Sequence, residues 1–504
     1  MSLIPIFKDL SFYSNPSDQK VRYDELTKTF KTNFSDEKID FIARSPGRVN
    51  LIGDHIDYNY FPVLPMAIEV DVIAAVSINN RSNIIITNTD PSFKKYIIDL
   101  PSDLENIDND IKMDENHSWG NYFKCGLIVA SKFIKETTSI STLKGMSITF
   151  NGTVPTGGGL SSSAAFCVAS TLAILYANGI SKITKSDLTR ITVVSEHYVG
   201  LNNGGMDQCA SIYGEQGKAL QIQFKPVIKG IPFSFPVNNI VFLITNSLQV
   251  SNKQETAPFH YNLRVVEMAI SSDLLAKKLK LDEKNLVKDS NIGGVSLRGV
   301  MEGFCGDWED DDVESGITNL NKMIEVVELN LTNKEGYSVD EICKEFQITP
   351  EEFKSKYLTK FPVQFDKLKL YQRSLHVYKE SLRVLKVIKL LSSNSTNAAE
   401  FFNTFGQLMN ESQQDLTQLN ESSNTKLNDI CSIALTHGSF GSRVTGAGWG
   451  GSIVHLTNVE KLPNLVDNLR SYYKQEFPNI TDDELNDAII DSKPGMGSCI
   501  IELD

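Results

Sequence analysis

Residues 155–165 read PTGGGLSSSAA, three consecutive glycines followed by a serine-rich segment. Glycine lets backbone N–H groups approach a ligand closely and adopts positive φ without strain. Serine favours the start of a helix, where unpaired N–H groups and the helix dipole attract anions. The stretch therefore predicts a loop that binds the phosphates of a nucleotide at a helix N-terminus. The alternative is a glycine-rich turn that merely precedes a capped helix.

Two other glycine-containing stretches do not fit the common nucleotide-binding fingerprints. The P-loop pattern G-x-x-x-x-G-K-[ST] is absent, because Gly217 and Lys218 have Ile212 where the first glycine should stand. GAGWGG at 446–451 satisfies G-x-G-x-x-G, but an apparent strand (SIVHLT) follows it where a dinucleotide site requires a helix. We expect 446–451 to be a glycine loop at which two domains close over a ligand.

Size and charge exclude several classes of protein. A chain of 504 residues is too long for one compact core, so two or three domains are expected. The formal net charge of −13 argues against a surface for nucleic acid or anionic membranes, since phosphate-rich partners need clustered Lys and Arg. No stretch reaches the roughly 18 apolar residues of a membrane span, and MSLIPIFKDL does not resemble a secretory signal.

The seven cysteines are scattered and never spaced as CxxC. This usage is typical of core thiols in a reducing compartment and not of a disulfide framework or a zinc site. We therefore expect a cytoplasmic protein.

Hydrophobic patterning predicts an α+β protein with a helix-rich middle. Strands are predicted at 41–52, 66–78, 146–154, 239–246, 451–457 and 497–503, with a turn at Ser45, Pro46 and Gly47 interrupting the first. Helices are predicted at 161–177, 185–199, about 205–213, and over most of 261 to roughly 440. The acidic piece at 308–312 and the polar piece at 392–397 are predicted to be surface loops.

The stretch GRVNLIGDHIDY at 47–58 concentrates polar side chains around one turn after an apolar strand. These side chains are Arg48, Asn50, Asp54, His55, Asp57 and Tyr58. Two carboxylates and an imidazole can hold several hydroxyls of a polyhydroxylated substrate in a defined geometry. A missing hydroxyl would leave a buried group unpaired, which discriminates between sugars. The stretch predicts a sugar site, with a solvated surface turn as the alternative.

Another candidate residue is Asp207, in NNGGMDQ at 202–208. It follows a glycine pair and stands at the start of a predicted short helix. An aspartate in that position on its own is usually a helix cap, so Asp207 is a candidate functional residue only in combination with the other motifs.

The combination of GRVNLIGDHIDY, PTGGGLSSSAA, GGMDQ and TGAGWGG resembles the signature motifs of the GHMP small-molecule kinases, and within them the galactokinases of the long fungal type. The resemblance covers nearly the whole chain, including SEHYVG at 195–200 and ETAPFHYNLRVVE at 255–267. It implies a two-domain α+β fold, with an N-terminal domain like ribosomal protein S5 and a ferredoxin-like C-terminal domain. From the apparent loop at 231–239 we expect domains at 1–235 and 236–504, with a helical insertion at about 265–390.

The resemblance implies ATP-dependent phosphorylation of α-D-galactose at its 1-hydroxyl, giving galactose 1-phosphate, the first committed step of galactose catabolism (the Leloir pathway). Arg48 and Asp207 match the catalytic pair of the family, in which the acid orients the hydroxyl and takes its proton while the arginine keeps the acid ionised. Residues that match its galactose contacts are Arg48, Asp54, His55, Asp57, Gly204, Asp207 and Tyr261. The position of Asp54 is often Glu in relatives, so its reach is one methylene shorter.

The resemblance also implies an ATP site and a Mg²⁺ site. Residues that match the phosphate loop are Gly157, Gly158, Gly159, Leu160, Ser161, Ser162 and Ser163. Trp119 falls where relatives place an aromatic residue near the nucleotide. Ser163 (or Ser162) and Glu196 match the usual Mg²⁺ ligands, and hard oxygen ligands suit that ion.

Two further roles stay open. Fungi carry galactokinase-like sensors that bind a transcriptional repressor when sugar and ATP are present. The best-known non-catalytic sensor lacks a Ser-Ala pair in the second motif, whereas SSSAA at 161–165 is intact here, which favours an active kinase but leaves a dual role open. N-acetylgalactosamine kinase has a similar insertion, and the amides Asn202 and Asn203 favour the fungal galactokinases over it.

Overall fold

The structure is a computed structural model that describes residues 2–115, 118–199, 204–249, 256–289, 291–393 and 397–502. Strands in these ranges are β1 (Ile6–Phe7), β2 (Phe41–Ile52), β3 (Leu64–Asn79), β4 (Asn83–Asn88), β5 (Tyr96–Asp99), β6 (Gly145–Gly152), β7 (Lys218–Gln223), β8 (Lys229–Ser234), β9 (Ile240–Asn246), β10 (Gly441–Thr445), β11 (Ser452–Asn458), β12 (Ile489–Ser492) and β13 (Cys499–Ile501).

The helices in the same ranges are α1 (Pro16–Asn33), α2 (Ile107–Asp110), α3 (Trp119–Thr137), α4 (Ser162–Ala177), α5 (Lys185–Val193), α6 (Met206–Tyr213), α7 (Tyr261–Lys278), α8 (Leu297–Cys305), α9 (Val313–Asn330), α10 (Val339–Phe346), α11 (Pro350–Tyr357), α12 (Leu370–Ser392), α13 (Ala398–Gln418), α14 (Thr425–Thr436), α15 (Leu462–Glu476) and α16 (Asp482–Ala488). Over these residues, none of the helices has the length and apolar character that a membrane span requires.

The larger sheet has the strand order β1-β13-β2-β3-β6-β4-β5. Its long central pair, β2 and β3, is antiparallel, and β13 lies between β1 and β2. Helix α4 packs on β2 and β3, where its alanines, among them Ala165 and Ala169, are fully buried. Small side chains permit close packing of helix against sheet. The segment from 499 to 501 thus belongs to the same sheet as the first strands of the chain.

The turn expected at Ser45, Pro46 and Gly47 is wrong. Strand β2 runs through these residues, with a register shift against β3 between Pro46 and Arg48. A bulge accommodates proline, because the residue cannot donate a ladder hydrogen bond. The bulge also brings β2 against the glycine loop, since a Cβ added at Gly47 would lie 2.8 Å from the Leu160 carbonyl oxygen.

A second sheet, of four strands, is antiparallel with the order β10-β11-β9-β12, and β7 pairs with β8 in a separate two-stranded sheet. The four-stranded sheet packs on α14, α15 and α16 through a buried apolar cluster that includes Leu243, Leu427, Ile453 and Leu469. The strands predicted at 239–246 and 451–457 are confirmed as β9 and β11, and the GAGWGG stretch forms the connection between β10 and β11.

The helix-rich middle is confirmed as α7 to α14, in which α9 packs along α12. The piece at 308–312 is a loop as predicted, but its expected place on the surface is wrong for Trp308 and Asp310, which are 3% exposed. The reason is Arg298, whose guanidinium donates to Asp310 Oδ1 at 2.6 Å and lies 4.6 Å from the Trp308 ring centre. The polar loop predicted at 392–397 falls partly outside the described residues.

Candidate active site

The PTGGGLSSSAA loop has positive φ at alternate residues: 70° at Gly157, 74° at Gly159 and 61° at Ser161. Alternation of this kind curls successive backbone N–H groups toward one side, which favours an anion. Helix α4 begins at Ser162, so the predicted helix start is confirmed. Capping by the Ser161 side chain is not observed, because its left-handed backbone departs from the extended conformation that caps adopt.

The loop at 446–451 lies directly against the phosphate loop. A Cβ at Gly446, where φ is 83°, would lie 2.6 Å from the Gly159 carbonyl oxygen, so the close approach requires glycine. Ser452 donates from Oγ to the Gly158 carbonyl oxygen at 2.5 Å. The backbone of the loop at 446–451 therefore packs directly against the backbone of Gly158 and Gly159.

Arg48 connects the phosphate loop with Asp207. Its Nε donates to Asp207 Oδ1 at 2.8 Å, and its Nη1 donates to the Gly159 carbonyl oxygen at 2.7 Å. Arg48 is 2% exposed, whereas the Asp207 side chain keeps 15% of its surface accessible. The guanidinium thus holds the carboxylate of Asp207 at the edge of the loop predicted to bind phosphates.

Asp57 and Asp207 line the same cavity, and Gly204, two residues before α6 begins, lies against Asp57. A side chain at 204 would collide with the Asp57 carboxylate, so the close approach depends on glycine. Burial, reinforced by the charge of Asp207, raises the pKa of Asp57 to about 7. Asp57 therefore changes between a neutral and an ionised acid near neutral pH.

His55 is a neutral imidazole with a defined tautomer. Its Nε2 lies 2.9 Å from the Ala447 carbonyl oxygen, which can only accept, so Nε2 carries the proton. Nδ1 then accepts from the Tyr58 hydroxyl at 3.1 Å. Burial lowers the pKa of His55 to about 3, which keeps the ring uncharged. Tyr261 packs beside it, with ring centres 5.5 Å apart.

Asp54 is held by the C-terminal half of the chain. Arg443 Nη2 pairs with Asp54 Oδ2 at 2.8 Å, and the Gly446 N–H donates to Asp54 Oδ1 at 3.2 Å. Burial raises the pKa of Asp54 above its ordinary value, while Arg443 opposes that shift. Arg443 in turn contacts Glu380 at 3.3 Å.

Sequence reasoning missed Arg443 and Glu380. One signal was present: Arg443 is the single charged residue of GSFGSRVT at 438–445, which leads into GAGWGG, and a buried arginine requires an acidic partner. Nothing local marks Glu380, because it lies in an ordinary amphipathic helix.

Glu196 and Ser163 line the same cavity. The helix predicted over 185–199 ends at Val193, and a separate 3-10 turn, Ser195–Val199, then carries Glu196 inward, where it is 2% exposed. Gln208 donates from Nε2 to Glu196 Oε2 at 2.8 Å. A buried carboxylate and a hydroxyl that line one cavity are oxygen donors of the kind that Mg²⁺ takes.

One cavity unites half of the predicted site residues. It is lined by Arg48, Asp54, His55, Asp57, Tyr58, Ser163, Glu196, Met206, Asp207, Ala257, Tyr261, Asn262, Gly446 and Ala447. Residues from four separate motifs thus face one space. The rest of the glycine loop borders it through the contact of Gly159 with Arg48.

Trp119 is not among the residues that line this cavity. It begins α3, donates from Nε1 to the Lys94 carbonyl oxygen at 3.0 Å, and packs edge-on against Phe150 and Phe166. Since Phe166 belongs to α4, Trp119 lies beside the helix that follows the phosphate loop. Its role near the nucleotide stays a prediction. Asn202 and Asn203, along with Gly200 and Glu255 of the quoted motifs, lie outside the described residues.

Residues 28–78 match the family model described as the galactokinase galactose-binding signature, and residues 121–215 and 396–475 match the models for the N-terminal domain and the C-terminal region of GHMP kinases. The chain is 66% identical to a galactokinase of Candida parapsilosis, over 99% of this chain and 98% of that protein. The chain belongs to the galactokinase family.

Other galactokinases extend the match. Identity is 60% to the Candida albicans protein, over 99% of this chain and 98% of that one, and 48% to the Saccharomyces cerevisiae protein, over 93% and 92%. Among solved structures, a Lactococcus lactis galactokinase complexed with galactose aligns with a TM-score of 0.67 at 20% identity, covering 95% of this chain and 99% of that one. The fungal-type galactokinase resemblance and the two-domain GHMP kinase fold are confirmed.

Proposed function

We propose that this chain transfers the γ-phosphoryl group of ATP to the 1-hydroxyl of α-D-galactose, giving galactose 1-phosphate and ADP. The observation that carries the proposal is the position of Arg48, whose guanidinium contacts both Asp207 and the Gly159 carbonyl oxygen. A phosphate loop and an acid held by one side chain, beside a cavity rich in polar groups, suit transfer from a nucleotide to a hydroxyl.

The sugar is placed by the residues around Asp54, His55 and Asp57. Their side chains come from one turn and are fixed from several directions, so each offers a hydroxyl one defined geometry. Because these groups are buried, a sugar that lacks the matching hydroxyl leaves one of them unpaired. Tyr261 covers the same cavity with an aromatic ring, and Gly204 leaves room for the sugar beside Asp57.

Asp207 accepts the proton of the 1-hydroxyl as its oxygen bonds to the γ-phosphorus. The bond between that phosphorus and the bridging oxygen of ADP breaks, and the released proton stays on the Asp207 carboxylate until solvent removes it. The transition state is loose, so alignment of acceptor and phosphate accounts for most of the catalysis. Arg48 supports this step by orienting the carboxylate and by holding the carbonyl side of the glycine loop, which leaves the loop amides to the phosphates.

Mg²⁺ fits the donor set of Glu196 and Ser163. The buried Glu196 carboxylate, oriented by Gln208, and the Ser163 hydroxyl are the residues that would hold it. When bound, the ion neutralises negative charge on the β- and γ-phosphates.

We also propose a compartment, a domain division and a role beyond catalysis for this chain. All seven cysteines are free thiols, which supports a reducing compartment, the cytoplasm. We propose that the chain divides into domains at 1–235 and 236–504, with a helical insertion at about 265–390. Among the described strands, only β13 lies on the other side of this boundary from the rest of its sheet. The intact SSSAA at 161–165 supports catalysis over a purely regulatory role. Repressor binding in addition is a separate proposal, tested by pull-down with galactose and ATP present.

The test is the variant Asp207→Ala. We expect galactose binding, measured by calorimetry, to persist while kcat falls by at least about 10²-fold, the low end of a general-base contribution. An ADP-release assay with galactose, N-acetylgalactosamine, glucose and mevalonate defines the substrate. Asp482→Asn is the control, because Asp482 is 75% exposed and does not line the cavity. Near-normal kcat in Asp207→Ala would remove that residue from the mechanism.

A further inference from the structure

Helix α12 (Leu370–Ser392), in the helical middle of the chain, touches the sugar-binding turn with residues spaced four apart. Such residues share one face of a helix. His376 donates from Nε2 to the Asp54 carbonyl oxygen at 3.0 Å, and Glu380 Oε1 accepts from the Gly53 N–H at 2.9 Å. Val384 lies against Gly53, whose φ is 109°. Three successive turns of α12 thus fix the backbone of Gly53 and Asp54.

Glu380 also orients the arginine that holds the Asp54 side chain. Arg443 Nη2 lies between Asp54 Oδ2, at 2.8 Å, and Glu380 Oε1, at 3.3 Å. Ser412 donates from Oγ to Glu380 Oε1 at 2.8 Å and accepts from Arg443 Nε at 3.0 Å. The guanidinium is therefore held by Ser412, by Glu380 and by the Asn50 carbonyl oxygen, to which Nη1 donates at 3.2 Å, and these contacts keep Nη2 within ion-pair distance of the Asp54 carboxylate.

Glu380 cannot touch a sugar directly. It is 0% exposed, as is Arg443, and neither lines the cavity that contains Asp54. Burial alone would raise the pKa of Glu380, but the charges of Arg443 and Arg383 outweigh burial and lower it to about 2. The side chain is thus a permanent anion within the protein. Any influence on substrate must pass through Arg443, Gly53 and Asp54.

We infer that Glu380 is a positioning residue for sugar binding, which acts through Arg443 and the Gly53 amide to hold Asp54 in place. The inference rests on the proposed role of Asp54 as a sugar contact. Removing the Glu380 charge frees the guanidinium of Arg443 from one of its two anions and weakens the acceptor for the Gly53 N–H. The Asp54 carboxylate then loses its fixed geometry, although the glycine loop, Arg48 and Asp207 keep theirs. The helical middle of the chain is on this account part of the sugar site.

The test compares Glu380→Gln with Asp415→Asn in the full-length chain. Asp415 is the matched control, because it pairs with Arg383, which also contacts Glu380, but has no contact with Gly53 or Arg443. We expect Glu380→Gln to raise the KM and Kd for galactose by at least about tenfold, the effect of one charged hydrogen bond, while kcat and the KM for ATP change by less than about threefold. Asp415→Asn should leave all of these within about twofold.

Two further variants separate the positioning role of Glu380 from an effect on folding and from the sugar role of Asp54. Ser412→Ala removes only the neutral hydroxyl between Glu380 and Arg443, so it tests the same relay with less disturbance to folding, and it should raise the galactose KM alone. Asp54→Ala separates the two proposals. If it leaves galactose binding unchanged, the sugar role of Asp54 is wrong. If it weakens galactose binding while Glu380→Gln and Ser412→Ala do not, or if those two affect ATP and galactose equally, the positioning role is wrong.

Discussion

Replacing Asp57 with Asn should stabilise the ligand-free protein strongly at pH 8 and much less at pH 5. Asp57 is 6% exposed, and burial together with the nearby charge of Asp207 raises its pKa from 3.8 to about 7. The ionised carboxylate is therefore less favourable in the folded chain than in the unfolded chain. Asn occupies almost the same volume and carries no charge, so it removes this penalty.

The direction and the magnitude of this stability change follow from the raised pKa of Asp57. Because the folded pKa is raised, the proton on Asp57 favours folding, and this contribution is lost as the pH rises from about 4 through about 7. A shift of roughly 3 pKa units corresponds to about 4 kcal/mol, and all of it acts against folding at pH 8. At pH 5 the folded carboxyl is still protonated and the penalty is only about 2 kcal/mol. The stabilisation by Asp57→Asn should therefore be about 2 kcal/mol larger at pH 8 than at pH 5.

Urea unfolding of the native protein and of Asp57→Asn at the two pH values measures this difference directly. Asp108→Asn serves as the control, because Asp108 is 58% exposed in its ion pair with Lys132, and surface substitutions of this kind change stability by about 0.5 kcal/mol or less. An equal gain at pH 5 and pH 8, or a loss at pH 8, would refute the reasoning. The same variant should bind galactose more weakly, since activity and stability conflict at such a position.

Three other variants test the site. Arg48→Lys cannot reach Asp207 and the Gly159 carbonyl together, so kcat should fall by about 10- to 100-fold in steady-state assays while far-UV circular dichroism is unchanged; an unaltered kcat would contradict this role. Gly204→Ala should raise the galactose KM by at least about tenfold because the new methyl group collides with the Asp57 carboxylate. An unchanged KM would show that the backbone at 204 moves to accommodate the methyl group. Glu196→Gln should increase the Mg²⁺ concentration for half-maximal activity by about tenfold or more, measured by metal titration at saturating ATP; an unshifted titration would place the ion elsewhere.

The sequence predicted those parts of the molecule that depend on local pattern. Helix α4 and strands β3, β6, β9 and β11 were found because their apolar residues and glycine boundaries lie close together in the chain. The candidate site was predicted from motifs, each of which is a short continuous segment. Its cavity then unites residues from both halves of the chain, such as Asp57 and Ala447, as the resemblance to GHMP kinases led us to expect.

What could not be predicted depends on partners far away in sequence. Pro46 suggested a turn, yet pairing with β3 keeps β2 continuous and turns the irregularity into a bulge. Trp308 and Asp310 appeared to be surface residues until Arg298 gave them a buried partner. Glu380 lies 327 residues from Gly53, whose amide it accepts, and no local pattern records such a distance. Long-range ion pairs are the class of interaction that reading along the chain misses.

The place of β13 has a consequence for how this molecule can be made and divided. Cys499–Ile501 is synthesised long after β1 and β2, yet this strand fills the gap between those two strands of the larger sheet. The amino-terminal half can therefore begin to fold during synthesis but completes its sheet only after residues 499–501 have been made. A fragment that stops near residue 235 would leave an open slot with unpaired backbone groups, so expression of the isolated half invites aggregation unless the missing strand is supplied as a peptide.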